Sequence, residues 1–220
     1  MKYAVVDLEM CKVPKAFRCK EYKYSQETIQ IGAVLLDENY EIVSKFSTYV
    51  KPQYGQMDSF ISRLTGIGVA DIIDAPNMCD ALEMFSKWLP DSDVCCVSWS
   101  NSDDCQIRHE MEYKNIENVK ISEMLESWID CQKTFDDRME AVRAFSLEEA
   151  LIAADICSEG RAHDGLVDAI NTALLFAKMQ QNPNFDLHPV YKAAHDETVE
   201  HLGYSLGDLF GGLCSQLVMG

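Results

Sequence analysis

Met1-Lys-Tyr-Ala-Val-Val-Asp7-Leu-Glu9 opens the chain with an apolar run that ends in two carboxylates two residues apart. Read as a strand over Tyr3–Leu8, the run alternates its side chains, so Asp7 and Glu9 leave the same face. Two carboxylates buried side by side repel one another and lose hydration, at a cost of several kcal/mol. Divalent cations reverse that balance, because hard carboxylate oxygens suit Mg²⁺ or Mn²⁺ and two ions can share them. A strand that simply ends at a solvated acidic edge explains the pair as well, so the rest of the chain has to decide.

Working outward, Thr28-Ile-Gln-Ile-Gly-Ala-Val-Leu-Leu36 reads as a second strand, Asp37-Glu-Asn39 as a turn and Tyr40–Val50 as the hairpin partner. The mixed-charge stretch Lys12–Gln26 is a loop long enough to border a site. Asp58–Gly66 holds a short helix stopped at Gly66. Apolar residues at Ala81, Leu82, Phe85, Trp88 and Leu89 predict a helix over 78–89, halted at Pro90. Val94–Trp99 lacks alternation, as a central strand covered on both faces does. A helix opens near Asn101, Trp128–Asp130 reads as another short strand, Ser146 with Glu149 caps a further helix, and Asp164–Met179 is strongly helical. A hairpin followed by alternating strands and helices gives an α/β fold, a mixed central sheet with helices on both faces. The expected organisation is one domain over residues 1–180 with a C-terminal extension, 181–220, packed on it.

With 220 residues and 47% hydrophobic content, the chain can bury a sizeable core. No apolar run reaches the roughly 18 to 20 residues that span a bilayer, and the charged first strand leaves no room for a signal peptide, so no membrane association is expected. The nine cysteines are odd in number and form no paired CxxC knuckles. Free thiols in a reducing, cytoplasmic setting fit better than a disulfide scaffold or a zinc ribbon. Nineteen Lys and Arg against 36 Asp and Glu leave a formal charge of −17. That charge excludes a broad basic surface tracking long duplex DNA. It leaves room for a short nucleic acid gripped at a metal site, because bound cations invert the local field.

Asn101-Ser-Asp-Asp104 lies where the central strand hands over to a helix. Asn101 is placed to cap that helix with Asp104 at its third position, an arrangement resembling a capping box. Asp103 is then either an ordinary first-turn acid complementing the helix dipole, or part of a site at the strand end where α/β folds bind ligands. In Gly160-Arg-Ala-His-Asp-Gly-Leu-Val-Asp168, Gly160 is expected to close the preceding helix. His163 falls in the loop before the next helix, and Asp168 sits just over one turn into it. A histidine there can accept a proton from water, although a loop histidine with no task fits the same pattern. His109, His188, His195 and His201 lack comparable context and read as surface residues. Cys11 reads as a neutral wall residue, and Met10 as either the edge of a substrate cleft or part of the core.

Taken together, Val6-Asp-Leu-Glu9, Trp99-Ser-Asn-Ser-Asp103 with Ile107, and Gly160-Arg-Ala-His163 followed by Asp168-Ala169 resemble the three motifs of the DEDDh 3′–5′ exonucleases. This DnaQ-like family has the ribonuclease H-like fold. Ile29–Val34, Leu64–Ile67 and Trp128–Asp130 further resemble the branch that contains the histone-mRNA 3′-exonuclease and the bacterial sporulation-kinase pathway inhibitor. The resemblance covers roughly residues 3–178. Two features depart from the family pattern: Ser100 follows Trp99 where glycine is usual, and Ser102 stands where an aromatic residue often precedes the second-motif aspartate. Asp103 is chosen over Asp104 because Ile107, four residues later, fits the family spacing.

The resemblance implies that Asp7, Glu9, Asp103 and Asp168 are metal ligands for two Mg²⁺ or Mn²⁺ ions and that His163 is the general base. It implies hydrolysis at a free 3′ end of single-stranded RNA or DNA, RNA being favoured, with release of nucleoside 5′-monophosphates. Met10 and Cys11 are expected on the wall that meets the substrate. Two other readings stay open: hydrolysis of short oligonucleotides or small phosphodiesters, and a regulatory module that keeps the fold to bind a protein partner. A monomer and a homodimer are equally compatible with the sequence.

Overall fold

The structure is a computed structural model that describes residues 1–17 and 22–189, together with Tyr191. Cys19, His195, His201, Cys214 and the extension beyond Tyr191 lie outside the described residues.

The first half of the sheet is a meander. β1 (Lys2–Lys12) pairs antiparallel with β2 (Gln26–Leu36), which pairs antiparallel with β3 (Ile42–Tyr49). β2 is buried along almost its whole length, whereas β3 alternates between half-buried and exposed positions, as an edge strand does. Three helices follow: α1 (Ser59–Thr65), α2 (Val69–Ile72) and α3 (Met78–Trp88). Asp58 caps α1 by accepting from the backbone N–H groups of Phe60 and Ile61, and Gly66 ends it at φ 80°.

β4 (Val94–Ser98) then enters parallel to β1 on its free side. α4 (Ser102–Lys114), α5 (Val119–Leu125) and β5 (Trp128–Asp130) follow, and β5 runs parallel to β4. α6 (Cys131–Arg138), α7 (Leu147–Ala153) and α8 (Gly165–Gln181) complete the described elements. The strand order is β3-β2-β1-β4-β5, a mixed sheet with β1 at its centre.

The two faces of β1 serve two cores. Ala4, Val6 and Leu8 join residues of β2, α3, α4 and α5 on one side. Val5 joins Val34, Val97 and the apolar residues of α6, α7 and α8 on the other. Phe185, Leu187 and Tyr191, just past α8, pack against this second core, and the His188 N–H donates to the Ala153 carbonyl at 2.7 Å. A smaller cluster of Cys11, Ile29, Ile61, Ile67 and Ile72 forms where the segment containing α1 and α2 covers the end of β1.

Two local expectations are corrected. Asn101 makes no side-chain capping bond, and Asp104 pairs with Arg108 at 2.8 Å instead of completing a capping box. Gly160 does not close a helix, since α7 ends at Ala153 and Gly160 lies in the following loop at φ 59°. The Ser146–Glu149 capping box forms as read.

Candidate active site

Strand alternation sends Asp7 and Glu9 to the face on which α8 lies. Their β2 partners are Gly32 and Gln30. The first turn of α8 comes down directly on that spot: a Cβ built on Gly32 would stand 2.1 Å from the carbonyl carbon of Gly165. The Gly165 N–H donates to Gln30 Oε1 at 3.0 Å, pinning the helix start to the sheet. Asp164 caps α8 by accepting from the N–H groups of Leu166 and Val167. This seating carries Asp168, in the first turn, to the two β1 carboxylates.

Asp103 arrives from the other direction. β4 accompanies β1 only from Lys2 to Val5, and among the described residues no strand takes its place at the β1 edge just beyond Val5. The Asp103 carboxylate, at the start of α4, fills that gap by accepting from the Leu8 N–H at 3.0 Å. Glu9 and Asp103 are almost fully buried, and Asp7 is half-buried. His163 is exposed at the mouth of the cluster, and its backbone N–H donates to Asp168 Oδ2 at 2.9 Å. Ligand atoms of Glu9, His163 and Asp168 all lie within 4.8 Å of one another.

The electrostatics follow from that crowding. Burial, and then the charges of Asp103, Asp168, Glu9 and Asp164, push the Asp7 carboxyl well above the ordinary carboxylate range. Glu9 is pushed up to about 8 by burial and by Asp168, Asp103 and Asp164. Burial raises Asp103 to about 7, even though the Leu8 N–H stabilises its charged form. Burial raises Asp168 as well, offset in part by the His163 N–H. Acids held this far up lack a counter-charge. The donor set is carboxylate oxygen with one imidazole, which fits hard divalent cations, and Glu9, His163 and Asp168 can together hold a metal ion.

All five motif residues therefore meet at one place, and Asp164 adds a further negative charge. The signal for Asp164 was present in the sequence, since an aspartate directly before a strongly helical block is an N-cap. Met10 is half-buried and packs on the opposite face of β1, against the core that holds Ala4, Val6 and Leu8. Cys11 is a correction. It is 0% exposed beneath Ile61 and Ile67, and a Cβ on Gly55 would stand 2.3 Å from its sulfur, so it presents no wall to a substrate. Burial and the charges of Glu27 and Glu110 push its thiol up to about 12, which leaves it neutral. His109 stacks on Tyr24, with ring centroids 3.6 Å apart.

A second buried charge cluster braces the strand end. Glu27 accepts from the backbone N–H groups of Gln53, Tyr54 and Gly55, at 2.6, 2.7 and 2.6 Å, and Glu110 accepts from the Thr28 N–H at 2.8 Å. Lys114 bridges the two carboxylates at 2.5 and 2.6 Å. The cluster ties α4 to β2 and to the segment after β3.

With this geometry in place, the model of the exonuclease family (RNase_T) matches residues 4–176. The chain belongs to the exonuclease family. It is a DEDDh-like member with the ribonuclease H-like fold, as its three motifs implied. Among curated proteins, this exonuclease is similar to ERI1 exoribonuclease 2 of Danio rerio, 32% identical over 177 residues that cover 70% of this chain and 31% of that protein. It is also similar to ERI1 exoribonuclease 2 of Homo sapiens, 31% identical over 182 residues that cover 72% of this chain and 26% of that one. The chain thus spans about a third or less of the length of these relatives. Among solved structures, it superposes on a 3′-exonuclease solved in a study of 3′-end-specific recognition of a histone mRNA stem-loop. The TM-score is 0.70 at 20% identity, covering 85% of this chain and 84% of that one.

Proposed function

We propose that this exonuclease removes nucleoside 5′-monophosphates one at a time from the 3′ end of single-stranded RNA, using two divalent cations, Mg²⁺ or Mn²⁺. The observation that carries the reading is the convergence of Asp7, Glu9, Asp103 and Asp168, buried or half-buried with their pKa values raised, beside an exposed His163.

In this reading the four carboxylates would hold the cations, whose positive charge would offset negative charge on the phosphodiester. His163 does the proton work. Its ring stands at the solvent side of the cluster while its backbone is fixed to Asp168, so an imidazole nitrogen can take the proton of the attacking water. The water oxygen bonds to phosphorus, the bond to the 3′-oxygen of the preceding nucleotide breaks, and the released nucleotide keeps its 5′-phosphate. The RNA assignment draws on the exoribonuclease names of the similar proteins. Phe60, 54% exposed with the Lys12 amino group 5.2 Å from its ring centroid, offers an aromatic face and a cation where β1 ends, features suited to a base and its phosphate. A formal charge of −17 suits short or protein-delivered substrates better than travel along a long polymer.

The test is digestion of 5′-labelled and 3′-labelled single-stranded RNA and DNA with Mg²⁺, with Mn²⁺ and with chelator. The 5′-labelled RNA should shorten stepwise from its 3′ end and release nucleoside 5′-monophosphates, and chelator should stop it. Internal cleavage, or no cleavage of any substrate with either metal, would contradict the proposal.

A further inference from the structure

His163 is held in a conformation that it does not favour. Its φ is 63°, in the left-handed region, a conformation that a non-glycine residue keeps only where its surroundings hold it. The loop between α7 and α8 is fixed from two sides. On the α8 side, the His163 N–H reaches Asp168, and Glu159 exchanges hydrogen bonds with Asn171 at 2.8 and 3.2 Å.

On the other side stands Arg161, two residues before His163. Its guanidinium crosses to α1, where Nη2 donates to the carbonyl of Arg63 and, at 3.1 Å, to that of Leu64. Both carbonyls belong to the last turn of α1, where helix geometry leaves them without a partner and the helix dipole favours a cation. The Ser62 carbonyl of the same turn is taken by the Gly66 N–H. Gly66 supplies the seat, since a Cβ there would stand 2.1 Å from Arg161 Nη1. Its φ of 80° already favours glycine for a separate reason.

We propose that Arg161 is a positioning residue, clamping the His163 loop to the C-terminal end of α1, with Gly66 as the seat of the clamp. The clamp acts through His163, and so rests on the reading of His163 as proton acceptor. Arg161 has carbonyl oxygens as partners rather than carboxylates, so its bonds serve to orient the loop and leave the acidic cluster unneutralised.

The experiment compares steady-state turnover of single-stranded RNA by Arg161→Met, Arg161→Lys and Gly66→Ala, each also combined with His163→Asn. Asparagine suits the left-handed backbone at 163, so the loop keeps its shape when the imidazole is removed. Arg161→Met should lower kcat by about 10²-fold, the scale of an ångström-sized misplacement, with KM and Mn²⁺ affinity little changed. Arg161→Lys, which keeps one donor group, should recover part of the loss. Gly66→Ala should reproduce the loss, and Arg161→Met/Gly66→Ala should be no worse than either alone. In the His163→Asn background, Arg161→Met should have no further effect.

A raised KM with unchanged kcat would overturn the proposal, because Arg161 would then be holding substrate. Losses that multiply with His163→Asn would overturn it as well. Full activity of His163→Asn alone would remove the reading of His163. The clamp has its own check in that event: amide exchange at His163 should accelerate about tenfold in Arg161→Met, in line with loss of local protection. Unchanged exchange there would refute the clamp whatever the turnover shows.

Discussion

The Asp103 carboxylate accepts a hydrogen bond from the backbone N–H of Leu8 at 3.0 Å, joining residues 95 apart in the sequence. Asp103 therefore has two tasks at once. It completes the hydrogen bonding of β1 where β4 no longer runs beside it, and it brings a third motif carboxylate to Asp7 and Glu9. The fold and the site share this contact, so the two can be separated by the choice of substitution.

Asp103→Asn keeps an oxygen that can accept from Leu8 but loses the charge, and Asp103→Ala loses both. Asp103→Asn should fold with nearly native stability and be inactive. Asp103→Ala should also lose about 1–3 kcal/mol, the cost of leaving a buried N–H unpaired. Urea denaturation alongside turnover checks both, and equal stability of the two variants would show that the Leu8 bond carries little weight.

Gly32 lies opposite Asp7 and under the first turn of α8. Gly32→Ala must push backbone against backbone, so α8 lifts and takes Asp168 with it. Stability should drop by about 1–3 kcal/mol, and turnover should fall by about 10²-fold at temperatures where the protein stays folded. Native turnover in the alanine variant would mean that Asp168 does not depend on this seat.

Lys114 is the cation between two fully buried carboxylates, Glu27 and Glu110. Lys114→Met leaves both without it, and removing one partner from a buried ionic group destabilises by about 3–5 kcal/mol. Equilibrium unfolding should show a loss of that size, and a change below about 1 kcal/mol would contradict the bracing role.

The raised acids set a pH dependence with an unusual sign. Glu9 moves from 4.5 to about 8 on folding, and Asp103 from 3.8 to about 7, so the folded state binds these protons more tightly than the unfolded one. Their contribution is complete below the unfolded values and is lost as pH rises through about 7 and 8. Without metal, the melting temperature should therefore fall between about pH 5 and about pH 8.5, and Glu9→Gln should flatten the slope. Added Mn²⁺ should restore stability most at the alkaline end, where the carboxylates are ionised. Melting curves across pH check this, and a metal-free protein that becomes more stable over that range would refute the raised pKa values.

Much of this was legible in the sequence because the rules involved are local. Two-residue periodicity put Asp7 and Glu9 on one face, and a helical block beginning at Asp164 put Asp168 just over one turn in, close to the first-turn position it takes in α8. What stayed hidden depends on distant partners. Asn101 and Asp104 satisfied the pattern of a capping box, yet Asp104 went to Arg108 while Asp103 went to Leu8, a partner no neighbouring residue announces. Cys11 lies two residues past Glu9 on the site strand, but the segment with α1 and α2 folds over it, and nothing near Cys11 encodes that cover. Gly160 looked like a helix stop because glycine often is one, and its left-handed φ serves the loop instead. The clamp of Arg161 on α1 spans 98 residues to Arg63 and could not be read from either segment alone.

The most direct test of the central claim, that the acidic cluster is a divalent-metal nuclease centre, is Mn²⁺ titration calorimetry on the wild type and Asp7→Asn, paired with RNA turnover. The wild type should bind Mn²⁺, and turnover should rise with occupancy. Asp7→Asn should remain folded, bind Mn²⁺ at least about tenfold more weakly, consistent with the loss of a ligating charge, and be inactive. Undiminished Mn²⁺ binding by Asp7→Asn, or full turnover by a wild type that binds none, would contradict the claim.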